Sequence, residues 1–63
     1  SLWDIIDFLE QENRRLGRYT HSFMIAITLA QLGYKEKSKK FFVESEGDIT
    51  AIRNWAKYYD IEM

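Results

Sequence analysis

Apolar and polar positions along this chain follow a helical period and divide it into four segments. Leu2, Ile5, Ile6, Leu9 and Leu16 recur at close to helical spacing. Ser1 and Asp4 precede and open that run in a capping-box arrangement. Asp4 and Asp7 stand near its start and Arg14 and Arg15 near its end, the order that suits a helix dipole. Gly17 is the stop. The first helix is therefore predicted over 2–16. Between Phe23 and Leu32 eight of ten residues are apolar, the composition of a central helix covered on several sides. It is predicted over 22–32, capped by Thr20 or Ser22 and ended by Gly33. The third helix, over 35–44, has an inner line of Tyr34, Ser38, Phe41, Phe42 and Ser45. Glu36–Lys40 and Lys40–Glu44 are i,i+4 pairs on its wet face. Glu46-Gly47-Asp48 reads as a turn with Asp48 as the next cap. The fourth helix is predicted over 49–59, with Ile52, Trp55, Ala56 and Tyr59 on one stripe. No period-2 run competes, so the fold class is all-α, a small bundle of four short helices.

Composition narrows this further. Sixty-three residues make one helical domain at most, 1–63. The first residue is Ser1 rather than Met, which is compatible with a piece of a longer protein. At 46% apolar and 30% charged the chain is a folding sequence, with ten aromatic residues to enlarge a small core. Without cysteine there is no disulfide and no thiolate metal site. The longest apolar stretch is too short to span a bilayer, and nothing reads as a signal peptide. The expected setting is the cytoplasm, away from membranes.

Candidate chemistry is sparse. His21 is the single histidine, and its neighbours Thr20 and Ser22 do not face it on a helix start. A nucleophile–base pair with an orienting acid cannot be assembled from it. Asp4, Asp7 and Glu10 read as a solvated face, and the glycines form no phosphate loop. No catalytic residue, metal ligand, cofactor or small-molecule substrate is expected, and the chain is not read as an enzyme.

Charge is unevenly placed. The chain carries a net −1. From 14 to 40, Arg14, Arg15, Arg18, Lys35, Lys37, Lys39 and Lys40 oppose Glu36 alone, while the flanks hold nine acids and two bases. If the two basic clusters meet in space they form a surface for phosphates. Residues 35–59 also allow a helix-turn-helix whose second helix presents Thr50, Arg53, Asn54, Lys57 and Tyr58. Arg, Asn and Lys are types that read bases and phosphates. The spacing is imperfect, because Arg53 lies six residues after Gly47, where an apolar residue is wanted.

Residues 19–50 carry a further pattern in Ala26, Leu29, Gly33, Ser38, Phe42 and Ser45, running through LAQLGYKEKSKKFF. Small and large residues alternate about a glycine bend, and this stretch resembles a tetratricopeptide-repeat hairpin. Ser22 stands where that family usually has Trp, and Thr50 where it usually has Pro. The resemblance implies a protein–protein adaptor that grips a peptide or helix in a groove, and a single repeat needs flanking helices to cover it.

Two functions are expected from these readings. The first is a non-catalytic protein-interaction or self-association module, with a protein partner or a second copy in a homodimer. Its motive is more large apolar groups than a short chain encloses, and Phe8, Phe41 and Tyr58 are the candidates for exposure. The alternative is a nucleic-acid-binding helical domain using Arg14, Arg15, Arg18, Lys35, Lys37, Lys39, Lys40, Arg53, Asn54 and Lys57.

Overall fold

The computed structural model describes residues 1–17 and 21–63. Four helices follow one another: α1 (Leu2–Leu16), α2 (Ser22–Gln31), α3 (Lys35–Glu44) and α4 (Ile49–Tyr58). Among the described residues there is no strand. The boundaries match the periodicity, except that Leu32 and Tyr59 serve as C-caps rather than as last helical residues.

The ends of α1, α2 and α4 have chemical causes. Ser1 and Asp4 form a reciprocal capping box at the start of α1, and Gly17 closes it in the left-handed conformation that glycine adopts without a Cβ penalty. Asp48 caps α4 by accepting from the Thr50 and Ala51 N–H groups. At the end of α2, Tyr34 N–H donates to Leu29 O and Gly33 N–H to Ala30 O. Gly33 is held at φ 88°, and together these are a Schellman motif. The same motif ends α4, where Ile61 N–H donates to Ala56 O and Asp60 N–H to Lys57 O. Its left-handed residue is Asp60, an unusual choice that turns the chain so that Ile61 is buried.

The cap of α2 differs from expectation. Thr20 lies outside the described residues. Ser22 is not the cap; it is the first helical residue, fully buried. The N-cap position is His21, whose side chain makes no capping bond. Asn13 of α1 does the work instead. Its Oδ1 accepts from His21 N–H at 2.9 Å and its Nδ2 donates to Ser22 Oγ at 3.1 Å. A buried carboxamide thus satisfies one helix start from another helix and fixes how α1 lies against α2.

The core lies along the α2–α3 interface. Ile25, Ala26 and Leu29 of α2 face Ser38, Phe41 and Phe42 of α3, with Ile6 from α1 and Ile52, Ala56 and Ile61 from the end of the chain. Ser38 Oγ donates to Ala26 O at 2.6 Å, so its hydroxyl is satisfied inside the core. Phe23 meets Phe42 edge to face, with centroids 6.1 Å apart, a favourable ring geometry. α2 touches all three other helices, as its apolar composition implies. The whole measures 29 × 25 × 12 Å over Cα atoms. A body this thin in one direction covers few side chains from both sides, so many of its large apolar groups stay exposed.

Candidate functional site

The surface chemistry falls into two regions, one along α4 and one between α1 and α3. On α4 the spacing of Trp55, Tyr58 and Tyr59 at i, i+3 and i+4 stacks three rings on adjacent turns. Trp55 and Tyr59 lie nearly parallel at 6.4 Å, and Tyr58 meets both edge-on, at 5.9 and 4.9 Å. Trp55 shares the apolar stripe with Ile52 and Ala56 yet remains exposed, since only the latter two reach the core. Tyr58 is 74% exposed. With Gln31 of α2 and Asn54, these rings line an open cleft of about 510 Å³. Among the described residues no charged side chain lines it. Its polar side-chain groups are two carboxamides, two tyrosine hydroxyls and the Trp55 indole N–H, none of which carries charge.

Between α1 and α3 no backbone comes close, and the space is bridged by side chains. Trp3 meets Tyr34 edge to face at 5.2 Å, and the Lys37 ammonium sits 4.6 Å from a Trp3 ring centre. Phe41 lines the small cleft beneath, together with Ile6 and Leu29. Phe41 is therefore not the exposed contact expected of it; it is 5% exposed and part of the core, in keeping with its place on the inner line of α3. The cause is the docking of α1, which covers the flank of α3 that an isolated hairpin would show to solvent.

Phe8 and Tyr58 are both exposed, at opposite ends of the chain. Phe8 has company on α1, where Ile5 and Leu16 are exposed as well. At 100° per residue these three lie on the flank away from Trp3, Glu10 and Arg14, the residues that face α3.

The basic candidates are dispersed. Arg14 and Lys40 do meet, lining one polar cleft of about 200 Å³ with Asn13, but Glu10 and Glu44 line it too. Arg14 lies 4.0 Å from Glu10, and Arg15 Nε donates to Glu12 at 2.6 Å. On α3 neither Glu36–Lys40 nor Lys40–Glu44 closes; the ion pairs between described side chains are the two on α1. Lys40 instead lies 5.3 Å from its neighbour's ring at Phe41. Lys35, Lys37 and Lys39 are exposed, as are Arg53, Asn54 and Lys57. Arg18 lies outside the described residues.

Among the described residues no three His, Cys, Asp or Glu side chains converge. No helix among them is long and apolar enough to cross a membrane. Of the six residues that carry the hairpin resemblance, Ala26, Leu29, Ser38 and Phe42 are fully buried, and Gly33 makes the bend. Asn13 was missed by pattern reading. Its signal was position, because it falls seven residues after Ile6 on the buried line of α1. Compared with family models, curated proteins and solved structures, the chain matches none.

Proposed function

We propose that this chain is a non-catalytic protein-interaction module whose working surface is the aromatic cleft on α4. The observation that supports it is the ladder of Trp55, Tyr58 and Tyr59 beside Gln31 and Asn54, in which Trp55 and Tyr58 are exposed and Tyr59 is half-buried against the core. Tyr and Trp are the residues interface centres favour, because they offer large, stiff, half-polar area. An uncharged aromatic cleft suits an uncharged segment, either an extended peptide or an apolar helix face. The carboxamides supply hydrogen bonds to its backbone. The resemblance of residues 19–50 to a repeat hairpin, which implies a protein–protein adaptor, points the same way.

The test is selection from a displayed peptide library, followed by titration of the enriched peptides on Trp fluorescence. Enrichment of apolar or aromatic sequences that Tyr58→Ser and Trp55→Ala both abolish is the expected outcome. Peptides that bind both variants as well as the parent would remove the α4 cleft.

A second reading has one observation in its favour. The exposed lysines of α3 and the exposed Arg53, Asn54 and Lys57 of α4 lie on consecutive helices, as a helix-turn-helix unit would place them. Against it, the arginines of α1 are paired with acids of their own helix. Fluorescence anisotropy of short DNA at about 50 and 200 mM salt separates the readings, because phosphate binding falls steeply over that range. The absence of binding at low salt would dismiss nucleic acid.

A further inference from the structure

The exposed flank of α1 follows a second period. Leu2, Ile5, Leu9, Glu12 and Leu16 are spaced 3, 4, 3 and 4 residues apart. This is the 3.5-residue repeat of a helix seam that meets another helix rather than a core. They fall within an arc of about 80° on the helix surface. Ile6 and Asn13, one step round, are the residues α1 buries against its own bundle. Leu2 and Leu9 are partly buried against that core, while Ile5 and Leu16 stand in water with Phe8 at their edge. α1 thus carries a second line beside its buried one, on which Leu2 and Leu9 lean against the bundle while Ile5 and Leu16 are left uncovered.

We infer that the second line is the self-association face of the protein, and that two copies pair through α1 in antiparallel orientation. It rests on reading the chain as an interaction module, but it names a different face from the α4 cleft. Area supports a second copy. The chain exposes 4647 Å², against about 4,300 Å² for a compact monomer of its mass. A chain this short also has little core of its own, and oligomerisation is a usual remedy.

Charge sets the orientation. A parallel pair would stack Glu12 on Glu12 of the other copy. An antiparallel pair places Ile5 against Leu16 of the other copy and Leu9 against the stem of Glu12. It also lays Phe8 beside Arg15, where a guanidinium over a ring is favourable. A face two heptads long covers on the order of 500 Å² per copy, at the low end of specific interfaces. The dimer is therefore a weak one, dissociating at tens to hundreds of micromolar.

Sedimentation equilibrium of the full chain across that concentration range tests this. The weight-average mass should rise from 7.6 kDa toward twice that value. Ile5→Glu and Phe8→Glu, each checked for helix content by circular dichroism, should weaken association at least tenfold. Tyr58→Ser should leave the curve unchanged. Orientation is read by cysteine cross-linking, for which the cysteine-free chain is suited. Mixed Ile5→Cys and Leu16→Cys proteins should form a heterodimeric disulfide, and Ile5→Cys alone should not cross-link. A mass fixed at 7.6 kDa up to millimolar concentration overturns the proposal and leaves the α4 cleft standing. A dimer lost on Tyr58→Ser but not on Phe8→Glu overturns it too, as it would place self-association on α4. Efficient cross-linking of Ile5→Cys with itself overturns the antiparallel arrangement.

Discussion

The α2–α3 hairpin and the two outer helices are made from the same kinds of residue but stand in different energetic situations. In the hairpin, Ala26, Leu29, Ser38 and Phe42 are all sealed from water, and the one polar atom among their side chains donates to a backbone carbonyl. In α1, fifteen residues long, only Ile6 and Asn13 are buried; in α4, only Ile52 and Ala56. The outer helices are held by a few anchors and by bridges such as Trp3–Tyr34–Lys37. The hairpin therefore carries the stability, and the outer helices carry surface available for recognition.

The sharpest way to break that contrast is Phe42→Ala. The ring is fully buried and packed edge to face on Phe23. Large-to-small core changes of this kind cost about 3–5 kcal/mol. That is comparable with the whole stability of a domain this small, about 3–5 kcal/mol. Loss of the cooperative urea transition followed by circular dichroism is the expected result. A folded Phe42→Ala protein with its midpoint little changed would mean that the core lies elsewhere.

Asn13→Ala acts one level down, on the attachment of α1. It leaves His21 N–H and Ser22 Oγ without their partner in a largely buried place, at a cost of about 1–3 kcal/mol. The loss should appear first in hydrogen exchange at the start of α2 and along α1, with α3 less affected. Uniform loss of protection would show instead that α1 and the hairpin unfold as one unit.

These two predictions also mark what could be read from the chain. Helix number, order and all but two end residues followed from period, caps and glycines, because those signals are local. So did the burial of Ser38 and Phe42, which lie on a regular line. The fate of Phe41 and Asn13 depended on where α1 docks, and that contact joins residues far apart in sequence. The α4 cleft was half legible. Tyr58 and Asn54 fell on the outer face of the predicted helix, but the participation of Gln31 needed the packing of α2 against α4. The left-handed Asp60 left no sequence signal, since glycine is the usual marker of such a cap.

Gly33→Ala should cost about 1–2 kcal/mol. A Cβ there meets no atom within 4 Å, so the cost is the strain of φ 88° and not a clash. A thermal melt lowered by several degrees, with the native circular dichroism spectrum kept, is the expected signature. Gly33→Asn should recover part of the loss, because Asn tolerates left-handed backbone better than Ala.

The smallest expected effect on stability is also the most informative for function. Tyr58→Ser removes a ring that is largely in water and touches mainly the rings of Trp55 and Tyr59. Surface changes of this kind stay within about 0.5 kcal/mol. If α4 were a stabilising element like the hairpin, the loss of two edge-to-face contacts would exceed that figure and lower the urea midpoint measurably. If α4 is a recognition surface, the midpoint holds while peptide binding is lost. The two quantities, measured on one protein, therefore decide whether the rings on α4 stay exposed for a partner or simply stack on one another.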